Sequence, residues 1–417
     1  MDYDLIIIGA GWAGLTAAKK AVKSGMKVCL IEKDKTGGVC LNRGCIPTKA
    51  LIHWAKINSL NSKPVDFSLA QAKKNKIVSQ LAAGVQFSLK GVDVLAATAK
   101  LTGPNKVLAG DKEISAKFIL VSTGSLPFEL PDLKFAAPKI ISSDQLLQLE
   151  KLPPEILIVG AGVIGCEFAS LFNQLGVKVT LAEKMPFILP GQDAQIQKKI
   201  ETTFKKKGIN VLIDADVKSM NLDGYSLIAV CVGRVANVSL QGAQEVGLKI
   251  QKQGFAVDEY LRTTVPNIFA AGDCTGKIML AHYASYQAEV AVDNMLGANR
   301  KADNPYVPNC IFTDPLIASV GLTEEEAMKR AVDTVMHKFD FMASGMARVM
   351  DAAEGFIKII SDKASGKILG ASMIGPEVTE LISVITVAAS NGLTVKQLKE
   401  TIFAHPTLSE SIREALE

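Results

Sequence analysis

Cys40 and Cys45 stand five residues apart in the run Gly37-Gly38-Val39-Cys40-Leu41-Asn42-Arg43-Gly44-Cys45-Ile46-Pro47-Thr48-Lys49. Seven cysteines in 417 residues make no disulfide framework, so this pair reads as redox chemistry and not as a staple. A regular helix would hold residues five apart at about 8–9 Å. A disulfide accepts Cα separations only to about 6.8 Å. The pair can therefore close only if residues 40–46 are locally irregular, which Gly44 and Pro47 permit. Pro47 suits the first turn of a helix running to about Ile57, and Cys45 then lies at its N-terminus, where a thiolate is stabilised. The bland alternative, two unrelated buried thiols, is disfavoured by the glycine-rich and Pro-Thr-Lys flanks. Cys29, Cys166, Cys231 and Cys310 read as core thiols, and Cys274 lies close to a presumed cofactor only by adjacency.

A second candidate group is His405, in Phe403-Ala404-His405-Pro406-Thr407-Leu408-Ser409-Glu410. It is one of four histidines, and Glu410 five residues on could orient it as a base. Thr407 and Glu410 also have the spacing of a capping box for a helix over 408–416, which would occupy Glu410 with backbone. By sequence alone the cap is the stronger reading. His53, His282 and His337 read as loop or helix-surface residues.

The elements around these groups repeat. Leu5-Ile6-Ile7-Ile8 leads into Gly9-Ala10-Gly11-Trp12-Ala13-Gly14 and a helix, then a strand over Lys27–Ile31 ending at Glu32. Ile156-Leu157-Ile158-Val159 leads likewise into Gly160-Ala161-Gly162-Val163-Ile164-Gly165, a helix, and a strand over Lys178–Ala182 ending at Glu183. In both copies the acidic residue follows the first glycine by 23 positions. The first glycine turns the chain, the second lets backbone approach a pyrophosphate, and the third lets helix and strand pack closely. The helix N-terminus offers N–H groups to phosphate, and the carboxylate accepts from ribose hydroxyls. One such motif is weak; two with matching context predict two bound dinucleotides. At Glu183 a carboxylate favours NAD over NADP, whose 2′-phosphate it repels. A third signature, Thr263-Thr264-Val265-Pro266-Asn267-Ile268-Phe269-Ala270-Ala271-Gly272-Asp273, reads as a strand ending in a Gly-Asp turn. Asp273 would there accept from a ribityl hydroxyl, the plainer alternative being a β-turn aspartate.

The remaining composition bounds the answer. Lys+Arg 46 against Asp+Glu 42, with no long basic block, gives no reason to expect nucleic acid. No apolar run of about 20 residues exists to span a membrane. The N-terminus enters a strand at once, unlike a signal peptide, so a cytoplasmic protein is expected. No cysteine–histidine spacing predicts a metal.

Five ordered motifs, Gly9–Gly14, Gly37–Lys49, Gly160–Glu183, Thr263–Asp273 and His405–Glu410, together resemble the flavin disulfide oxidoreductases over essentially the whole chain, most closely the dihydrolipoamide dehydrogenases. The resemblance implies an α/β protein: two Rossmann-like domains for FAD and NAD, and a C-terminal α+β dimerisation domain. It implies Cys40 as the interchange thiol and Cys45 as the thiol against the flavin. Lys49 would approach the flavin and pair with Glu167, whose alternative is a solvated helix carboxylate. His405 would be the acid/base, held by Glu410 and supplied by the partner of a homodimer. FAD contacts are implied at Gly9, Gly11, Gly14, Glu32, Lys49, Ala99, Gly124, Asp273 and Ala281. NAD contacts are implied at Gly160, Gly162, Gly165, Glu183, Val217 and Gly233.

The implied activity is oxidation of dihydrolipoamide on lipoyl domains of 2-oxo-acid dehydrogenase or glycine-cleavage complexes, with NAD+ as acceptor. The alternatives are a related disulfide or mercuric reductase using NAD(P)H, and a non-catalytic redox-sensing flavoprotein. Three departures stand out: Phe403 where a second histidine is usual, Tyr283 for a common lysine, and a short stretch between Val217 and Val232. The expected domains are FAD 1–143 (with a helical excursion over Lys63–Val85), NAD 144–262, a central return 263–303, and the interface domain 304–417. In the last, Gly355–Ile360 and Lys367–Ile374 should form a hairpin. The helix Glu380–Ser390, apolar nearly all round, suits a dimer seam.

Overall fold

The computed structural model describes residues 1–60, 66–251 and 253–417. The first elements are β1 (Tyr3–Ile8), α1 (Trp12–Lys23), β2 (Val28–Glu32), α2 (Gly38–Arg43), α3 (Cys45–Leu60), α4 (Phe67–Ser88), β3 (Val92–Ala96), β4 (Ala99–Gly103), β5 (Lys106–Ala109) and β6 (Lys112–Val121). The start of the expected excursion, residues 63–65, lies outside the described residues; α4 accounts for the rest.

The chain forms two compact units, of residues 1–128, 143–151 and 233–303, and of residues 129–142, 152–232 and 304–417. In the first, β3, β2, β1, β6 and the strand Ile268–Ala270 lie parallel in that order. Leu5 to Ile8 are buried, as a central parallel strand covered on both faces requires. The start of β6 turns antiparallel to β5, which pairs with β4. The second unit holds a parallel sheet ordered Asn210–Leu212, Lys178–Ala182, Glu155–Val159, Ile228–Val230, Ile140–Ser142. It also holds an antiparallel sheet ordered Asn309–Ile311, Leu316–Gly321, Ile368–Gly375, Phe356–Asp362, Thr334–Asp340.

These units cut the chain elsewhere than the expected boundaries. The strand Arg234–Ala236 pairs with Ser125–Pro127. Leu240, Ala243, Leu248 and Phe255 share a core with Ile6, Ile31 and Ile119. Residues 233–262, expected with the NAD domain, thus pack with the first unit. Conversely, Ile140–Ser142 joins the second unit by pairing with Ile228–Val230. The expected hairpin forms through strands Phe356–Asp362 and Ile368–Gly375. The helix Val378–Ser390 buries Leu381, Ile382, Ile385 and Ala388 against that sheet and leaves the apolar Val387 60% exposed on its other side. Between Leu212 and Ile228 the chain makes only a 3-10 turn, Val217–Ser219, with no strand, in line with the short stretch noted in the sequence.

Candidate active site

The expected irregularity is a break between two helices. α2 ends at Arg43, its C-cap Gly44 is non-helical with φ of −144° and ψ of −115°, and α3 begins at Cys45. A Cβ on Gly44 would lie 3.1 Å from the Val39 carbonyl oxygen and 3.3 Å from the Cys40 Cα. The chain therefore doubles back closely enough for Cys45 to meet Cys40, and α3 starts at Cys45 with Pro47 in its first turn, as expected. Asn42 secures the loop, its Nδ2 donating to the carbonyls of Gly38 at 2.9 Å and Thr36 at 3.1 Å. Thr48 Oγ1 donates to the Gly44 carbonyl at 2.7 Å.

Cys40 and Cys45 are hydrogen-bonded through their side chains, and this bond, burial and the charge of Cys45 push the Cys40 thiol far up. The side chains of Cys40 and Cys45 therefore meet within hydrogen-bond reach across the Gly44 break. The Trp12 side chain hydrogen-bonds Cys40 and opposes that rise; sequence reasoning passed Trp12 over because a large residue inside a glycine-rich turn carries no thiol signal. The other cysteines are different. Burial raises Cys29 to about 11 and Cys231 and Cys274 to about 12, leaving protonated core thiols. Cys166 is likewise pushed up by burial, whereas Cys310 is only half-buried, against the expectation of a core thiol.

The thiol loop is stitched to the first glycine-rich turn. Gly37 N–H donates to the Ala10 carbonyl at 2.8 Å, and a Cβ on Gly38 would sit 2.7 Å from the Gly11 Cα. In each glycine-rich turn a Cβ on the third glycine, Gly14 or Gly165, would collide with the carbonyl oxygen of the first, Gly9 or Gly160. A Cβ on the second, Gly11 or Gly162, would meet no protein atom within 4 Å. The acidic ends match as well. Glu32 accepts from Ala10 N–H at 2.7 Å and Asp34 N–H at 2.9 Å; Glu183 accepts from Ala161 N–H at 2.7 Å and Met185 N–H at 2.9 Å. Each carboxylate is thereby fixed with lone pairs left for a ribose diol.

Asp273 opens the 3-10 turn after Ile268–Ala270, and its Oδ2 accepts from Ser125 Oγ at 2.6 Å. Gly272 N–H donates to Gln287 Oε1 at 2.8 Å, with Gln287 fully buried in the helix Ala281–Met295. Gln287 carries no signal in the sequence, since a glutamine within a helix has no motif. Ala281 begins that helix, and buried Tyr283 follows it. Gly124 lies at φ +73°, and Ala99 is buried in β4. Lys49 lies in the second turn of α3. Gly233, expected on the NAD side, belongs to the first unit, its carbonyl accepting from Phe128 N–H at 3.0 Å.

In the second unit, Val217 begins its 3-10 turn and packs on the parallel-sheet core. Glu167 is 4% exposed, and its Oε1 accepts from Phe312 N–H at 2.9 Å, so it is no solvated helix carboxylate. Of the expected capping box the Glu410 half forms, and the helix is shorter than 408–416: it is Glu410–Ala415, with Ser409 at its N-cap. Thr407 Oγ1 instead donates to the Ala404 carbonyl at 2.7 Å. Glu410 fills both rival roles. Its Oε1 meets His405 Nδ1 at 2.9 Å, and its Oε2 accepts from Thr407 N–H at 2.9 Å. Those two bonds hold the Glu410 carboxyl below the usual range, the Thr407 amide contributing most. The His405 side chain is 82% exposed. His337 is half-buried in the strand Thr334–Asp340, hydrogen-bonded to Ser361 Oγ at 3.0 Å, and not on a loop or helix.

A thiol pair at a helix N-terminus, twin dinucleotide turns and a carboxylate-oriented imidazole define an oxidoreductase that exchanges disulfides. The chain belongs to the pyridine nucleotide-disulphide oxidoreductase family, whose nucleotide-binding part it matches over residues 3–288 and whose dimerisation domain it matches over residues 307–416. It is 37% identical to a dihydrolipoyl dehydrogenase of Chlamydia pneumoniae, over 98% of this chain and 95% of that protein. It is 36% identical to one of Bacillus subtilis (strain 168), over 99% and 97%. Among solved structures, the HOCl-induced flavoprotein disulfide reductase RclA from Escherichia coli superposes with a TM-score of 0.92 at 30% identity, covering 99% of each chain. LpdA from Mycobacterium tuberculosis gives 0.92 at 28% identity, also covering 99% of each. FAD and NAD are the cofactors of these dehydrogenases. The backbone here fits both: the protein-free approach to Gly11 and Gly162 and the fixed carboxylates Glu32 and Glu183 suit two dinucleotides. The match to a dimerisation domain makes a homodimer the expected assembly. Among the described residues no helix is long and apolar enough to cross a membrane, and no cluster of three or more His, Cys, Asp or Glu side chains could hold a metal ion.

Proposed function

We propose that this protein is a homodimeric, cytoplasmic dihydrolipoyl dehydrogenase that oxidises dihydrolipoamide on lipoyl domains with NAD+ as acceptor. The observation that carries the reading is the Cys40–Cys45 pair, hydrogen-bonded side chain to side chain with Cys45 at the head of α3.

His405, oriented by Glu410, takes the proton of a substrate thiol, and the thiolate attacks Cys40 of the Cys40–Cys45 disulfide. The S–S bond breaks and Cys45 leaves as thiolate, stabilised by the N–H groups of α3. The second substrate thiol, losing its proton, attacks the substrate sulfur of the mixed disulfide. Cys40 departs and takes up a proton, and a cyclic substrate disulfide is released. Two electrons then reside on the cysteine pair. When bound, FAD supplies the two-electron relay that restores the disulfide, and NAD+ the terminal hydride acceptor. Lys49, in the second turn of α3, is proposed to position the flavin side of the thiols. Glu32, Ala99, Gly124, Asp273 and Ala281 would hold FAD, and Glu183 and Val217 NAD.

The test is FAD-replete protein assayed with dihydrolipoamide and NAD+, beside NADPH with glutathione disulfide or mercuric ion. The first pair should turn over and the others should not. Activity that survives Cys45→Ser would refute the thiol chemistry.

A further inference from the structure

Asp273 is held by a chain of side chains that the mechanism above does not use. Arg234, in the strand paired with Ser125–Pro127, has a side chain only 14% exposed, and each of its three guanidinium nitrogens donates a hydrogen bond. Its Nε donates to Ser125 Oγ at 2.9 Å and its Nη2 to the Ser125 carbonyl at 3.0 Å. Its Nη1 donates to Asp144 Oδ1 at 3.0 Å. A hydroxyl has one proton. With Arg234 donating into the Ser125 oxygen, that proton is committed to Asp273 Oδ2, 2.6 Å away. The Asp273 carboxylate is thereby turned so that Oδ2 is occupied and Oδ1 remains for a ligand hydroxyl.

The same chain reaches the thiol loop. Asp144 Oδ2 lies 3.5 Å from Arg43 Nε, and Arg43 Nη2 lies 2.7 Å from Asp34 Oδ2. Arg43 is the last residue of α2, the helix that carries Cys40. Asp144 thus stands between two guanidinium groups, one bound to the Gly-Asp turn through Ser125 and one on the redox helix. All of these residues lie in the first unit. A carboxylate shared by two arginines is costly to remove, because it leaves two like charges without their common partner.

We propose that Ser125, Arg234 and Asp144 are positioning residues: they fix the Asp273 carboxylate to receive a flavin ribityl hydroxyl and tie that turn, through Arg43, to the helix bearing Cys40. The inference rests on the reading of Asp273 as an FAD contact.

The experiment uses the full-length holoenzyme. Flavin release, read by the appearance of free-flavin fluorescence, and unfolding, read by far-UV ellipticity, are followed across a urea titration, and FAD dissociation constants are measured by equilibrium dialysis. Ser125→Ala and Arg234→Gln should each weaken FAD about tenfold, with flavin leaving before the protein unfolds. Combined, they should cost no more than either alone, since one acts through the other. Asp144→Asn should change the iodoacetamide alkylation rate of the reduced thiols by about two- to fivefold, and adding Arg43→Gln should cancel that change. Asp273→Asn is the reference. If it leaves FAD affinity intact, the flavin reading of the turn is wrong and the proposal falls with it. If it weakens FAD while Ser125→Ala and Arg234→Gln do not, only the proposal is overturned. Flavin release that always coincides with unfolding, or an alkylation rate indifferent to Asp144, also overturns it.

Discussion

Lys358 offers the most quantitative test of how the second unit is held. It lies in the strand Phe356–Asp362 with its side chain 1% exposed, and its Nζ reaches Asp193 Oδ2 at 2.8 Å and Glu324 Oε2 at 2.9 Å. Asp193 is 2% exposed and cannot turn away, because its Oδ1 accepts from Gln195 N–H at 2.9 Å as the N-cap of the helix Ala194–Lys206. Glu324 is 41% exposed, so its share is that of a surface pair, about 0–1 kcal/mol. Lys358→Met strands a buried carboxylate and should cost about 3–5 kcal/mol. Glu324→Gln should cost about 0.5 kcal/mol. Asp193→Asn added to Lys358→Met removes the stranded charge and should recover about half the loss.

Burial lowers the Lys358 pKa, but the bonds to Asp193 and Glu324 outweigh it and the net shift is upward. A raised folded-state value means the contribution is complete below the ordinary lysine range, about 10.4, and fades only as pH rises through the higher folded value. The Lys358→Met deficit should therefore be constant from pH 6 to about 10. The assay is urea unfolding at fixed protein concentration, compared by far-UV ellipticity. A Lys358→Met loss under about 1 kcal/mol, or no recovery in the double variant, would refute the claim that this ion pair is buried and coupled.

Three further outcomes are expected. Gly14→Ala and Gly165→Ala each drive a Cβ into a carbonyl, and each should lower the melting temperature and abolish binding of the dinucleotide at its own turn, whereas Gly11→Ala should leave the fold intact and weaken FAD alone, all read by calorimetry and flavin retention. Glu183→Gln keeps an acceptor for Ala161 N–H but drops the charge, so preference for NAD over NADP, read as the ratio of kcat/KM values, should shrink about tenfold or more. The Glu410 carboxyl is held low, so its ties to Thr407 and His405 exist above the ordinary carboxylate range and fail as pH falls through the depressed value. The protection factor of the Thr407 amide, its exchange rate relative to the intrinsic rate at each pH, should hold from pH 7 down to the ordinary glutamate value, about 4.3, and fall only below it; a factor that already falls near pH 6 would contradict the bond.

The local chemistry was legible because it is written in contiguous residues. Gly44 marked the break between two short helices, and the twin glycine-rich turns with their spaced carboxylates marked both nucleotide sites, since each feature is fixed by backbone sterics within one turn. The sequence could not decide between the two roles of Glu410, because a carboxylate has two oxygens and only geometry shows both in use. Nor could it place residues 233–262, whose attachment to the first unit depends on pairing with Ser125–Pro127 across more than 100 residues.

What the sequence by itself determined is thus the reactive thiol pair, the two dinucleotide turns and the family they belong to. Only the tertiary structure decided that the Cys40 and Cys45 side chains meet, that Glu167 and Lys358 are buried, and that a chain from Asp144 through Arg234 and Ser125 reaches Asp273. The physical reason is that hydrogen bonds and desolvation act through space: their partners here come from segments up to 165 residues apart, as for Lys358 and Asp193, and no local pattern records them.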